Sequence, residues 1–177
     1  MQLFFYCKKK KGEIAMAIDI TKGKHNVAFM SKVFAVENGH VYNLTIAKDR
    51  DNGQLAVRDV TSWNSFDNYD EDEAGTITFS GLVRGQAANG NYYVEVLSVS
   101  QDVLFVYNSP VSEYAERELQ DESLFYNKAG ETVQGIPLER GDIVELSAIA
   151  FTGTISDDAS VSYDKSTEKY IVSGTSS

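Results

Sequence analysis

The feature that most restricts this chain is a series of short apolar runs, rich in aromatic and β-branched residues, each closed by a turn built from Gly, Asn or Asp. The clearest are 76–83 (TITFSGLV), 92–99 (YYVEVLSV) and 103–107 (VLFVY). Such residues suit a pleated, half-buried surface. Runs of this length are too short for well-packed helices. Further runs lie at 41–47 (VYNLTIA), 54–60, 133–138 and 143–151 (IVELSAIAF), with a last pair at 161–163 and 169–172. The turn signals between them include Asn38-Gly39, Asn52-Gly53, Asn89-Gly90 and Gly141-Asp142. The spacing predicts hairpins over 41–60 and 161–172, a tight hairpin around Ser100-Gln101-Asp102, and a strand–turn–strand unit around Gly141. Segment 27–36 fits either a strand or a short helix. Strand–helix alternation is absent, so a nucleotide-binding α/β fold is not expected. The expected fold is mainly β, an antiparallel β-barrel or β-sandwich with at most one short helix.

With 177 residues, one core suffices for the chain. We expect a single β domain over 16–172, followed by a polar tail at 173–177. The formal charge of −10 argues against nucleic-acid binding, which depends on cationic side chains neutralising phosphates. The same charge favours solubility at high local concentration. No apolar run is long enough to cross a bilayer as a helix, so no membrane partner is expected. Cys7 is the only cysteine, which excludes an intrachain disulfide framework.

Residues 1–15 (MQLFFYCKKKKGEIA) reverse the order of a secretion signal, with the aromatic residues ahead of Lys8–Lys11 rather than behind them. A basic membrane anchor is the lesser alternative. Lys11-Gly12-Glu13 is a possible translation of a purine-rich ribosome-binding sequence, set at bacterial spacing before Met16. The expectation is that Met16 is the first residue and that 1–15 is leader sequence, in a bacterial or bacteriophage gene.

Segment 110–130 departs from the strand pattern. It is strongly charged, with Glu113, Glu116, Arg117, Glu118, Asp121 and Glu122, and its apolar anchors Tyr114, Leu119 and Phe125 follow no clear period. Pro110, which has no N–H to donate, ends the preceding strand. An irregular arm is expected, with one short helix at most between Glu113 and Phe125.

No constellation for chemistry stands out. His25 and His40 occupy no zinc or triad spacing and read as exposed loop residues. Neither a Gly-x-Ser-x-Gly elbow nor a phosphate-binding Gly-x-x-x-x-Gly-Lys loop is present. Asp49, Asp51 and Asn52 resemble the opening of a calcium loop, but Gly53 falls at position five and Val60 at position twelve, so a turn explains them better. Asp67 and the run 70–73, beside Trp63, Phe66 and Tyr69, read chiefly as a solvated loop over aromatics packed on the core. Weak Ca²⁺ binding or a basic partner is the other reading. Asp157, Asp158 and Asp164 invite the same guess with less support. Scattered carboxylates are too numerous to mark a glycosidase pair. No catalytic residue, cofactor or metal is expected.

Within 106–146 the chain carries the pattern Ser109-Pro110, Tyr114, Glu116, Phe125 leading to Asn127, Ala129-Gly130, Gly135, Leu138 and Gly141-Asp142. This quarter of the chain resembles small head-associated proteins of tailed bacteriophages that infect Gram-positive bacteria; 118–123 departs from the pattern. The resemblance implies a virion component on the capsid surface, made in the bacterial cytoplasm. As a cement or decoration protein it would contact the major capsid protein or other virion proteins, and form a homo-oligomer. The contact residues would be Pro110, Tyr114, Glu116, Leu119, Phe125, Tyr126 and Asn127. The rival expectation is a carbohydrate- or host-surface-binding β module of a tail or adhesin, with Trp63, Phe66 and Tyr69 as its ligand face.

Overall fold

The computed structural model describes residues 25–58, 68–69, 76–109 and 122–174. Residues 1–15, expected as leader, and Met16, Trp63, Phe66, the acidic residues 67 and 70–73, and Pro110, Tyr114, Glu116 and Leu119 lie outside them.

Two open sheets make up the described fold. The larger has the order β1-β9-β6-β5-β11-β12-β10 and the smaller β3-β7-β8-β2-β4. In chain order the strands are β1 (Ala28–Lys32), β2 (Tyr42–Thr45), β3 (Leu55–Val57), β4 (Asn68–Tyr69), β5 (Phe79–Gln86) and β6 (Tyr92–Val99). They continue with β7 (Val103–Tyr107), β8 (Thr132–Pro137), β9 (Ile143–Leu146), β10 (Phe151–Thr152), β11 (Ser160–Asp164) and β12 (Lys169–Ser173). Pairing is antiparallel apart from β2–β4 and β10–β12. Neither sheet closes on itself, so of the two expected architectures the protein has the sandwich-like one.

The sheets meet through alternate residues. Val83 of β5, Val94 and Val96 of β6, and Val144 and Leu146 of β9 pack against Leu55 of β3, Phe105 of β7 and Ile136 of β8 in one buried cluster. Burying such side chains stabilises the fold by roughly 1.5–3 kcal/mol each. The continuous apolar run of β7 has a second use. Leu104 and Val106 point to the other face of the smaller sheet, where they join Leu44, Ile46, Ala56 and Val133 in a separate buried cluster. Both faces of β7 are therefore buried, which a run without polar alternation requires.

Two expected pairings are corrected. Strand β6 lies in the larger sheet and β7 in the smaller, so Ser100-Gln101-Asp102 is a crossing between layers and not a hairpin. The strand–turn–strand unit around Gly141 forms as expected, and its turn likewise crosses from β8 of the smaller sheet to β9 of the larger. Strands β2 and β3 share the smaller sheet, but β8 and β7 stand between them. The physical reason is common to the two crossings. The apolar faces of successive strands bury each other across the core, and a polar turn serves that geometry as well as edge pairing. The terminal hairpin β11–β12 forms as expected, and its turn is held by Asp164, which accepts from the Ser166 N–H and hydroxyl and from the Thr167 hydroxyl. Those bonds, the Ser166 hydroxyl foremost, hold the Asp164 carboxyl below its usual pKa.

Segment 27–36 contains both structures considered for it: β1, then a one-turn helix α1 (Phe34–Glu37). The switch has a local cause. The Phe34 N–H, free at the start of the helix, donates to Asp142 Oδ1 at 3.0 Å. Among the described residues of the arm segment, a 3₁₀ turn at Glu122–Leu124 falls inside the range expected for a short helix.

Candidate functional site

The site grows from the turn between β2 and β3. At Gly53 the backbone has φ +86°, and a Cβ there would lie 2.7 Å from Asn26 Nδ2 and from Leu146 Cδ2. Only glycine meets both demands. Its N–H donates to the Val106 carbonyl at 2.8 Å, and its carbonyl accepts from the buried Tyr170 hydroxyl at 2.7 Å. The turn is thereby stitched to β7 of one sheet and β12 of the other. Burial, with a smaller contribution from nearby Tyr163, pushes the Tyr170 phenol well above its ordinary pKa.

Asn52, the preceding residue, holds both roots of the arm. Its Nδ2 donates to the Asn108 carbonyl at 2.8 Å, and its Oδ1 accepts from the Asn108 N–H at 2.9 Å and from Asn127 Nδ2 at 3.1 Å. Asn127 is fully buried and forms an antiparallel bridge with Arg50, with N–H···O distances of 2.9 and 2.8 Å. Its Nδ2 also reaches the Arg50 carbonyl at 3.1 Å. Asn108 and Asn127, which flank segment 109–126, are therefore held together at one point. Arg50, itself 3% exposed, meets Glu168 at 3.2 Å, and Lys48 meets the same carboxylate at 2.7 Å.

A second strand of this network reaches the chain around β1. The Asp51 carboxylate accepts from His25 Nδ1 at 2.8 Å and from the Asn26 N–H at 2.9 Å. With a carboxylate as the acceptor, Nδ1 carries the imidazole proton. Asn26 Nδ2 donates to the Asn52 carbonyl, and Asn26 Oδ1 accepts from the Ser147 hydroxyl, both at 2.6 Å. On the arm side, the His25 ring stacks on Tyr126 with centroids 4.7 Å apart, and the His25 N–H donates to the Ser123 carbonyl at 3.3 Å.

The expectation of an exposed loop histidine is overturned for His25, which is 8% exposed, and holds for His40. The partners of His25 lie far away in the chain, so no spacing motif announces them. His25 and Asp51 have the geometry of an orienting pair. Its Nε2 is buried without a partner among the described residues, so the hydroxyl or thiol that a nucleophilic triad places there is missing from this set. The carboxylates that resembled a calcium loop are committed elsewhere: Asp49 accepts from the Ala129 N–H at 2.9 Å, and Asp51 serves His25 and Asn26. Among the described residues no group of carboxylates and histidines is arranged for a metal.

Of the expected contact residues within the described set, Phe125 and Tyr126 are half-buried, while Asn127 spends its side chain inside its own chain. Of the expected ligand face, only Tyr69 is placed: β4 sets it opposite Thr45 at the edge of the smaller sheet. No helix among the described residues is long and apolar enough to cross a membrane. Comparison with protein-family models, with curated proteins and with solved structures yields no match for this chain.

Proposed function

We propose that this protein is a structural component of a bacteriophage virion, a capsid cement or decoration protein that binds the shell through the arm 109–126 and catalyses no reaction. The observation that carries the reading is the joint at Asn52, where Asn108 and Asn127 are held together on a base bonded to both sheets. A segment held at both ends has less conformational freedom to lose on binding than one held at a single end. Phe125 and Tyr126 keep part of their surface free beside the joint, and aromatic residues of this kind dominate interface centres. The resemblance within 106–146 points the same way. An acidic body suits a protein carried in many copies, and it directs contact toward protein surfaces and away from packaged nucleic acid. The partner is the major capsid protein or another virion protein, with copies of this chain arranged over the shell.

The test is mass spectrometry of particles purified from the phage whose genome encodes the chain. Peptides of this chain should be present at a ratio to the major capsid protein that stays constant through repeated density gradients. Loss of those peptides on purification, or their absence from the particles, would end the proposal.

A further inference from the structure

The arm joint and a cleft occupy opposite ends of β7. Beyond Val103, helix α1, the 100–102 crossing and the 138–142 crossing enclose a cavity of about 320 Å³, at the small end of the range used for small-molecule binding. Its walls are fixed to one another. The buried Asp142 carboxylate accepts from the Phe34 N–H at 3.0 Å and from the Glu139 N–H at 2.7 Å, which ties α1 to one crossing. The Arg58 N–H donates to the Asp102 carbonyl at 2.8 Å, which ties the end of β3 to the other. The cleft is therefore pre-formed, and a ligand need not organise it.

Its lining defines a ligand class. The Arg58 guanidinium lies over the Tyr42 ring at 4.6 Å, and the Tyr42 hydroxyl is 3.1 Å from His40 Nε2. Arg58 Nε is buried and has no hydrogen-bond partner among the described residues, a donor left without an acceptor. Asn38 uses its Nδ2 on the Phe34 carbonyl at 2.8 Å, which leaves its Oδ1 as an acceptor. The Gln101 amide and the Glu139 carboxylate complete a set of planar donors and acceptors. The Arg58 charge is met by Asp102 at 3.6 Å, and Glu139 stands in the same wall. No positive excess remains to attract an anion. Phe34, 55% exposed, presents an aromatic surface at the cleft.

A hydroxyl group donates once and accepts twice, and so matches a lining of mixed donors and acceptors. An aliphatic C–H face, slightly positive, packs on the negative face of an aromatic ring. We infer that this cleft binds one neutral sugar residue of a glycan, with its hydroxyls on Arg58, Gln101, Asn38 and Glu139 and its apolar face on Phe34. The inference stands whether or not the arm binds a capsid, because the two sites lie at opposite ends of β7 and share no residue.

The test applies the full chain to an array printed with neutral and acidic glycans, followed by saturation-transfer NMR with the soluble neutral hexoses and N-acetylhexosamines that score. Neutral glycans should bind. Phe34→Ser and Gln101→Ala, both at exposed positions, should each weaken binding about tenfold with unchanged melting, the size expected for one lost contact. Arg58→Lys, which keeps the charge and removes the planar guanidinium, should weaken it as well. Binding of acidic glycans alone, no binding of any neutral glycan, or binding that survives both Phe34→Ser and Gln101→Ala would overturn the inference.

Discussion

Asn52 and Asn108 hold each other as two neighbouring strands would, the side-chain amide of one exchanging a donated and an accepted hydrogen bond with the backbone of the other, at 2.8 and 2.9 Å. The amide of Asn52 thus stands in for a stretch of backbone where the chain turns away from the sheet. It can do so because a primary amide carries donor and acceptor side by side, as the N–H and C=O of a single residue lie in an extended strand.

Replacing Asn52 by Ala removes that imitation, strands the Asn108 N–H and carbonyl, and leaves Asn127 Nδ2 with the Arg50 carbonyl as its remaining acceptor. The expected loss of stability is about 2–4 kcal/mol, from buried groups left without partners. Urea unfolding measures it. Asn52→Asp keeps the acceptor and places a carboxylate oxygen against the Asn108 carbonyl, so it should be destabilising too, though less than Ala at low pH, where the carboxyl regains a proton to donate.

Gly53→Ala should be at least as harmful. Its methyl would fall within 2.8 Å of Asn26, Leu146 and Ala28 at a backbone angle of φ +86°. Overpacking of this kind costs about 1–3 kcal/mol, and the left-handed backbone adds to it. Thermal unfolding should show a lower melting temperature for Gly53→Ala than for Gly90→Ala, since Gly90 has open space where its Cβ would lie despite a φ of +92°.

Tyr170 sets the alkaline limit. Burial holds its phenol neutral in the folded protein at pH values where the unfolded chain ionises. The unfolded state therefore releases a proton that the folded state keeps, and stability falls as pH rises above about 10, by up to about 1.4 kcal/mol per pH unit for this one group. Tyr170→Phe strands the Gly53 carbonyl and should be weaker than wild type by about 1–2 kcal/mol at pH 7. That gap should narrow above pH 10, as followed by urea midpoints across pH 7–11; a gap constant to pH 11 would contradict the assignment.

Much of the fold was legible. The runs that became β6, β7, β8 and the β11–β12 hairpin follow from residue type and turn chemistry alone, because a strand must alternate or be buried on both sides. Partner choice was not legible. The residues 100–102 and 164–168 are equally polar, yet the first joins two layers and the second joins two neighbours in one sheet. The difference lies in which apolar faces meet across the core, a property of the whole set of strands and of no single turn.

The same distinction applies to the sites. The pattern residues of 106–146 were readable, and the structure gives several of them a folding reason. Asn127 and Asp142 satisfy buried backbone groups, and a Cβ on Gly135 would meet Leu104 Cδ1 at 2.7 Å. The cleft and the His25–Asp51 pair draw on residues far apart in the chain, and periodicity carries no signal for such meetings.

Asp142 links fold and cleft in a way that can be separated experimentally. Asp142→Asn replaces one of two accepting oxygens by an amide nitrogen facing an N–H donor, at a cost of about 1–3 kcal/mol. It should loosen α1 and weaken saccharide binding, while leaving attachment through the arm unchanged. Glycan titration and capsid co-sedimentation of the same preparation read the two effects independently.

The central claim is that this chain works by contact, through a segment fixed at both ends. Its most direct measurement is co-sedimentation of the purified chain with shells assembled without it. The wild-type chain should bind saturably, and a folded triple variant, Tyr114→Ser, Leu119→Ser and Phe125→Ser, should remain in the supernatant. Equal binding by the triple variant, or none by the wild-type chain, would contradict the account.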